Sequence, residues 1–217
     1  MSSIEEMLEM IAKELGAKQV DNHSENKNEE GVPVGVSNRH IHLSQNDLDK
    51  IFGAGYELTK IKDLSQPGQF AAKETVTICG PKGAIEKVRI LGPVRSKTQV
   101  EILQGDTFKL GVKAEPKMSG ELCHTTGITV IGPKGSVQTE EGLIVAKRHI
   151  HMLPEDAENF DVKDGEEVSI KIDGIRGGVF ENVAIRVTNT SKLECHVDME
   201  EANALGLNSK SRVQIIK

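Results

Sequence analysis

Aromatic residues are scarce in this sequence: among 217 residues there is no tryptophan, one tyrosine and five phenylalanines. So few aromatic side chains argue against a surface that stacks nucleic-acid bases. Basic residues are not in excess either, since 27 lysines and arginines face 33 acidic residues and the formal net charge is −6. We therefore expect no nucleic-acid partner, and an anion has to bind at a local cluster of positive charge.

Cysteines are also few, and long apolar runs are absent. Cys79, Cys123 and Cys195 are an odd number without CxxC spacing, which argues against a disulfide framework and is typical of proteins from a reducing cytosol. The sequence has no apolar run of about 18 residues that could span a bilayer, and its start lacks the pattern of a secretory signal. These absences predict a cytoplasmic protein without a membrane partner.

The first 18 residues have the pattern of an amphipathic helix. Apolar side chains recur along one helical face, at Ile4, Met7, Leu8, Ile11 and Leu15. Residues 19–31 are polar and are predicted to form a flexible linker. From the residues alone, the apolar face of the 1–18 helix either binds a partner's groove or packs on this protein or on a sister subunit.

Residues 32–217 have the pattern of a mainly β body, in which short β-rich runs alternate with turns rich in glycine, proline and aspartate. Segment 34–58 resembles segment 143–167: in both, a strand ends in Arg-His-Ile-His and a short helix follows. We predict two related β-barrels that arose by internal duplication, with short α-helical insertions. Their boundary is expected at roughly 115–127, and a return of the C-terminal segment to the first barrel is left open.

Histidine pairs are the least ordinary feature of this body. His40 and His42 point to the same face of a strand because side chains alternate along it, and His149 and His151 do so in the second copy. Two imidazoles on one face form part of a metal site, which needs at least one more ligand. A single such pair is usually an ordinary surface pair, but its presence in both copies of the repeat favours metal binding.

Strand alternation also suggests the missing ligands. Glu101 shares the polar face of TQVEIL with Gln99, and His196 shares the polar face of LECHVD with Glu194, whereas Cys195 points to the opposite face. We predict that Glu101 and His196 complete the two metal sites.

Basic residues lie beside these histidines. Arg39 and Arg148 precede the two pairs, and Arg95 lies six residues before Glu101. A guanidinium matches the geometry of phosphate, so Arg95 is predicted to bind a phosphate group. The alternative is an ordinary ion pair with an acidic neighbour, which has more weight for Arg39 and Arg148 than for Arg95. The sequence contains no GxxxxGK[ST] and no GxSxG motif, so nucleotide and serine hydrolysis lack support.

The sequence resembles a known family, the Pdu-type phosphate acyltransferases (phosphate propanoyltransferases, or phosphotransacylases) of bacterial microcompartments. The resemblance covers residues 32–217. It is carried by the strings VPVGVSNRHIHLS, IKDLSQPGQFAAKETV, LGPVR, TQVEI, FKLGVK, IVAKRHIHM and HVDMEEANA.

The resemblance implies two β-barrels with a dinuclear zinc site between them. It implies that the first zinc binds His40, His42 and Glu101. It implies that the second zinc binds His149, His151 and His196, with Gln69 near its water ligands. Arg95 matches the family's phosphate-binding arginine. The positions that match coenzyme A contacts are Ser37, Lys62, Arg89, Leu91 and Asn203.

The resemblance also implies the reaction, in which propanoyl-CoA or acetyl-CoA and phosphate are interconverted with acyl phosphate and CoA, as in 1,2-propanediol degradation. It favours residues 1–18 as an encapsulation peptide that binds microcompartment shell or core proteins, and it implies a homodimer. Two alternatives stay open. One is a binuclear metal-dependent hydrolase of thioesters or phosphoesters, and the other is a non-enzymatic, shell-associated metal-binding protein.

Overall fold

The computed structural model describes residues 31–217. The predicted helix over 1–18 and all but the last residue of the predicted linker over 19–31 lie outside the described residues. The strands, in chain order, are β1 (Val32–Ser37), β2 (His40–His42), β3 (Lys60–Asp63), β4 (Phe70–Cys79), β5 (Ala84–Gly92), β6 (Gln99–Ile102), β7 (Pro116–Lys117), β8 (Thr129–Ile131), β9 (Ser136–Gln138), β10 (Leu143–Ala146), β11 (His149–Met152), β12 (Glu167–Ile172), β13 (Gly178–Val187), β14 (Glu194–Asp198) and β15 (Arg212–Ile216). The helices are α1 (Gln45–Phe52), α2 (Asp106–Leu110), α3 (Pro154–Asn159) and α4 (Met199–Leu205). The predicted mainly β class is confirmed.

The strands form two sheets. Six of them make a closed barrel in the order β1-β14-β11-β13-β12-β15. The other nine make a sheet that curls into a half-barrel, called the curled sheet below, in the order β7-β10-β6-β2-β5-β4-β8-β9 with β3 paired to β4. Among the described residues, no helix is long and apolar enough to cross a membrane.

Both copies of the repeat cross from one sheet to the other. In the first copy, β1 belongs to the closed barrel and β2 to the curled sheet, whereas in the second copy β10 belongs to the curled sheet and β11 to the closed barrel. Each crossing occurs in the two residues before a histidine pair, at 38–39 and at 147–148. The exchange places one histidine pair in each sheet.

This exchange places a change from the curled sheet to the closed barrel at residues 147–148, and the domain boundary predicted at 115–127 stays a prediction. Strands β2 to β10, which end at Ala146, pair within the curled sheet, and β11 returns to the closed barrel at His149. The first strand belongs with the C-terminal half, since Val32 pairs with Val213 and Val34 with Cys195. The reason is pairing between distant segments: β10 lies parallel to β6, so residues 143–146 stay with the curled sheet.

Each sheet encloses an aliphatic core, as the shortage of aromatic residues requires. Ile41, Ile90 and Val100 are buried in the core of the curled sheet, and Ile150 and Cys195 in that of the closed barrel. Burial raises the pKa of the Cys195 thiol to about 12, so this cysteine is a packing residue with little thiolate character.

Helices α1 and α3 follow the two histidine pairs, as the repeat predicts, and local capping explains α1 and α4. Ser44 accepts a hydrogen bond from the Asp47 amide at the start of α1. At the start of α4, Asp198 and Glu201 form a reciprocal capping box. Helix α2 was not predicted, because the side chain of its first residue, Asp106, forms its strongest contacts with a distant residue, Arg39.

The carboxylate of Glu74 joins strand β4 to the segment before β3, and its titration is expected to make stability depend on pH. It accepts hydrogen bonds from the Tyr56 hydroxyl (3.0 Å) and the Thr59 amide (3.1 Å). Burial opposes ionisation, but the hydrogen bonds outweigh it and lower the pKa of Glu74 below its usual range. A lowered pKa contributes stability that is complete above the usual pKa and disappears as pH falls through the lowered value.

Glu74→Gln should therefore show a smaller loss of unfolding free energy than the parent chain between about pH 6 and pH 3, measured by urea denaturation at each pH. Glu86→Gln, which alters an exposed glutamate on β5, serves as the control. Identical pH dependence for Glu74→Gln and the parent would contradict the prediction.

Candidate active site

Strand register brings the predicted ligands together in two groups of the same design. Strand β2 is antiparallel to β6 and pairs His40 with Glu101. Strand β11 is antiparallel to β14 and pairs His149 with His196. Each histidine pair therefore has its predicted third partner directly across a strand pair, and the two groups occupy equivalent positions in the two copies of the repeat.

The first group consists of His40, His42 and Glu101, whose ligand atoms lie within 4.8 Å of one another. His40 Nε2 is 3.3 Å from Glu101 Oε2, and two ligands of one tetrahedral zinc, with bonds of ~2.0–2.1 Å, lie about 3.3 Å apart. His40 Nδ1 is 2.8 Å from the Asn38 carbonyl oxygen, which orients the ring. His42 Nδ1 is buried without a hydrogen-bond partner among the described residues.

The second group consists of His149, His151 and His196, again with ligand atoms within 4.8 Å of one another. The Nε2 atoms of His149 and His151 are 3.0 Å apart. His149 Nδ1 is 2.8 Å from the carbonyl oxygen of Lys147, two residues earlier, which repeats the contact that orients His40. A hydrogen bond from the second ring nitrogen to a carbonyl is the usual support of a metal-binding histidine.

The charges in the two groups suit a cation. Burial lowers the pKa of His42 to about 3, with His40 adding to the effect. Burial also lowers the pKa of His149 to about 4 and that of His151 to about 3, so these three rings are neutral at neutral pH. Burial opposes a charge on His40 as well, but the Glu101 carboxylate outweighs it and raises the pKa of His40.

Gln99 connects the first group to Arg95. Its amide nitrogen donates to Glu101 Oε1 (2.5 Å) and lies 2.9 Å from Ser119 Oγ, and its amide oxygen accepts from the Gly120 amide at 2.8 Å. Arg95 donates to the same Ser119 Oγ at 2.9 Å. Gln99 thus holds one carboxylate oxygen of Glu101, leaves the other beside His40, and supports the residue that orients Arg95.

Glu194 occupies in the closed barrel the position that Gln99 has in the curled sheet. Its Oε2 is 2.5 Å from His196 Nε2, and it also accepts a hydrogen bond from the Ser65 hydroxyl. Gly35 makes room for this contact, because a Cβ at that position would lie 2.8 Å from Glu194 Cδ and 2.9 Å from His196 Cδ2.

Arg39 and Arg148 have structural partners, as the sequence favoured. Arg39 forms a two-point ion pair with Asp106 at the start of α2, at 2.7 and 3.0 Å. Arg148 lies 3.2 Å from Glu201 in the first turn of α4 and stacks over Phe180. In each copy of the repeat, the arginine before the histidine pair is tied to a helix that follows the opposing strand.

Both ligand groups open into a single cavity of about 570 Å³. All six proposed ligands line it, together with four other residues predicted for the site, Ser37, Gln69, Leu91 and Arg95. The cavity is bounded by β2 and β6 of the curled sheet and by β11 and β14 of the closed barrel. The two copies of the repeat therefore contribute opposite walls of one site.

Three residues predicted for the site do not line this cavity. Lys62 is exposed on β3, and Asn203 is exposed on α4. Arg89 pairs with His40 along the backbone, but its guanidinium donates to the carbonyls of Ala72 (3.0 Å) and Lys73 (2.8 Å).

Several residues that line the cavity were not predicted, above all Arg186, Ser119 and Gln66. Arg186 pairs with His151 between β11 and β13, and Gln66 forms a reciprocal pair of hydrogen bonds with the backbone of Lys192, at 2.9 and 3.1 Å. Arg186 could have been identified only from the strand register, which cannot be deduced from the local sequence.

Comparisons with known proteins give the family. A family model described as phosphate propanoyltransferase matches residues 33–208. Relatives named phosphate propanoyltransferase include one from Rhodobacter capsulatus, 56% identical over 86% of each chain, and one from Thermotoga maritima, 56% identical over 88% of this chain and 91% of the relative. Another, from Enterococcus faecalis, is 42% identical over 100% of this chain and 99% of the relative. The chain belongs to the phosphate propanoyltransferase family.

Proposed function

We propose that this acyltransferase interconverts propanoyl-CoA or acetyl-CoA and phosphate with the acyl phosphate and CoA, at a dinuclear zinc site. The names of its relatives support the reaction class. The observation that carries the rest is the single cavity lined by two three-residue ligand groups and by Arg95. Such a cavity combines cation sites with an anion site, which a transfer between a thioester and phosphate requires.

The donor sets fit zinc. His40, His42 and Glu101 would hold one ion, and the three histidines of the second group would hold the other. Three protein ligands at each site leave a coordination position open. Zinc bound there supplies Lewis-acid polarisation of a carbonyl oxygen and stabilisation of a sulfur leaving group.

Arg95 would bind and orient phosphate for attack on the thioester carbonyl carbon. In that step a phosphate oxygen forms the new C–O bond and the C–S bond breaks. CoA leaves as the thiolate, which takes up the proton that the phosphate monoanion or dianion gives up. Ser119 and Gln99 would keep Arg95 and Glu101 in fixed relative positions, and such positioning can contribute several kcal/mol to catalysis (roughly 7–11 kcal/mol at most). The same contacts would serve the reverse reaction.

Coenzyme A would lie along one side of the cavity. Ser37 and Leu91 line the cavity itself, and Lys62, Arg89 and Asn203 are proposed as contacts for the parts of CoA that extend beyond it. Gln69, which also lines the cavity, would lie near the water ligands of the second zinc.

The test is an acyl-CoA assay with zinc-loaded protein, in which loss of the thioester is followed with and without phosphate and acyl phosphate is trapped with hydroxylamine. Phosphate-dependent loss with formation of acyl phosphate is the expected result, with propanoyl-CoA and acetyl-CoA compared. Phosphate-independent hydrolysis would replace the proposal by the metal-dependent hydrolase. Inactivity of protein with full metal content in both assays would favour the non-enzymatic metal-binding protein.

Residues 1–18 are proposed to direct the enzyme, as a homodimer, into a bacterial microcompartment of the 1,2-propanediol type. The support is the apolar face of the predicted helix, which suits a groove on a shell or core protein. Deletion of residues 1–20 is expected to abolish co-assembly with shell proteins while the specific activity stays within about twofold of the full chain, since the site lies in residues 31–217. Co-sedimentation with assembled shells measures this, and unchanged co-assembly would contradict it.

A further inference from the structure

The two walls of the cavity are copies of one unit, and at one of the positions where they differ an apolar side chain on one wall is replaced by a charged one on the other. In the closed barrel, β11 runs parallel to β13 and pairs His151 with Arg186. In the curled sheet, β2 runs parallel to β5 and pairs Ile41 with Ile90, so the next pair in this register is His42 and Leu91. Arg186 therefore stands where the other copy has Leu91, and both line the cavity.

No carboxylate in the described part of the chain lies within ion-pair distance of Arg186. It is partly buried, and none of the described residues forms a hydrogen bond or an ion pair with it. Arg39 and Arg148, in contrast, are each paired with a carboxylate. A partly buried guanidinium without a protein acceptor takes its hydrogen bonds from water or from a ligand in the cavity.

Arg95 faces the same cavity from the curled sheet. Its side chain donates to the Ser119 hydroxyl and to no carboxylate among the described residues. Burial lowers the pKa of Arg95, and the charge of Arg186 adds to that effect while Glu101 opposes it. Two guanidinium groups that repel each other across one cavity form a binding site for a dianion, because a phosphate placed between them relieves the repulsion and accepts hydrogen bonds from both.

We propose that Arg186 is a second phosphate-binding residue, which holds inorganic phosphate, or the phosphate group of the acyl phosphate, together with Arg95. Each sheet then contributes one arginine that binds the phosphate, so the phosphate contacts both walls of the cavity. Leu91, at the equivalent position of the opposite wall, offers an apolar surface to the carbon chain and the thioester. The presence of Arg186 on one wall and Leu91 on the other thus sets the orientation of phosphate and acyl-CoA in the cavity. This inference rests on the proposed function.

The test compares Arg186→Met, which removes the charge and keeps the length, with Arg186→Lys, which keeps the charge and loses the planar fork. Arg176→Met is the control, because Arg176 is exposed and donates to the Ala204 carbonyl outside the cavity. Initial rates are measured with phosphate and with acyl-CoA varied in turn. Binding of inorganic phosphate to each zinc-loaded protein is measured by calorimetry at constant ionic strength, which does not depend on turnover.

Arg186→Met is expected to weaken phosphate binding and to raise the KM for phosphate by about 10–100-fold, the effect of losing a charge-assisted hydrogen bond. The KM for acyl-CoA should change by no more than about threefold, Arg186→Lys should recover part of the loss, and Arg176→Met should behave as the parent. In the reverse direction the KM for acyl phosphate should rise and that for CoA should not.

Two outcomes would overturn the inference: phosphate binding by Arg186→Met within about twofold of the parent, or equal rises in both KM values for both Arg186 variants. Failure of the proposed function would look different. The parent chain would then bind phosphate by calorimetry and show no phosphate-dependent loss of acyl-CoA, while the comparison of phosphate affinities would still decide the role of Arg186.

Discussion

Glu101→Gln is expected to reduce phosphate-dependent acyl transfer by about 10³-fold or more, the largest effect of any single substitution in the cavity. Glu101 is the one anionic side chain among the six proposed ligands, and its Oε2 lies 3.3 Å from His40 Nε2. An amide is a much poorer ligand for a divalent cation than a carboxylate, and Lewis-acid stabilisation supplies several kcal/mol, with each ~1.4 kcal/mol worth tenfold in rate.

Metal content separates this explanation from misfolding. Glu101→Gln should bind about one zinc fewer per chain than the parent by elemental analysis, because the second group does not include Glu101. His40→Ala should give the same result through the same group. Glu86→Gln is the matched control, since Glu86 is exposed on β5, another strand of the same sheet. Full activity in a Glu101→Gln protein that has lost this zinc would refute the zinc mechanism.

Arg95→Met is expected to lower kcat/KM for phosphate by about 10²–10³-fold, which is the range found when one preorganised donor to a developing charge is removed. Arg95 is held on both sides: its backbone amide donates to the Leu43 carbonyl at 2.9 Å, and its guanidinium donates to Ser119 Oγ at 2.9 Å. A side chain fixed in this way loses little conformational entropy when phosphate binds.

The role of Arg95 can be identified from which substrate's kinetic constants change in Arg95→Met. The KM for acyl-CoA should stay within about threefold of the parent, and zinc content should be unchanged, because Arg95 is not in either ligand group. Arg95→Lys should retain the charge but lose the two-point geometry, and so recover only part of the activity. Equal losses for both substrates, or a loss of zinc, would mean that Arg95 supports the fold of the site rather than phosphate.

The two ligand groups were predictable because they depend on a local property. Side chains alternate along a strand, so HxH places two imidazoles on one face wherever that strand lies. The same argument selected Glu101 and His196 as polar residues on strand faces opposite to apolar ones. The structure brings each beside its histidine pair, because the two strands are antiparallel neighbours. Membership of the family, likewise, was already evident from short strings of the sequence and is confirmed.

The crossing of each repeat between the sheets was not predictable in this way. Strand β10 has the same local pattern as β1, yet β10 pairs with β6 in the curled sheet and β1 with β14 in the closed barrel. Which strand becomes a neighbour depends on contacts between segments more than 40 residues apart, such as Leu143 with Val100 and Val34 with Cys195. A boundary predicted from local patterns, such as that at 115–127, does not take this pairing into account and stays a prediction.

The composition, poor in aromatic residues and with a net charge of −6, already required an aliphatic core and a local site for any anion. The alternation of side chains along a strand predicted that the histidines of each pair share one face, and the internal repeat predicted two such pairs. The folded chain alone decided which charges are free: it pairs Arg39 with Asp106 and Arg148 with Glu201, and it turns Arg95 and Arg186 toward one cavity. Charge pairing depends on distances of a few ångströms between remote segments, and such distances exist only in the tertiary structure.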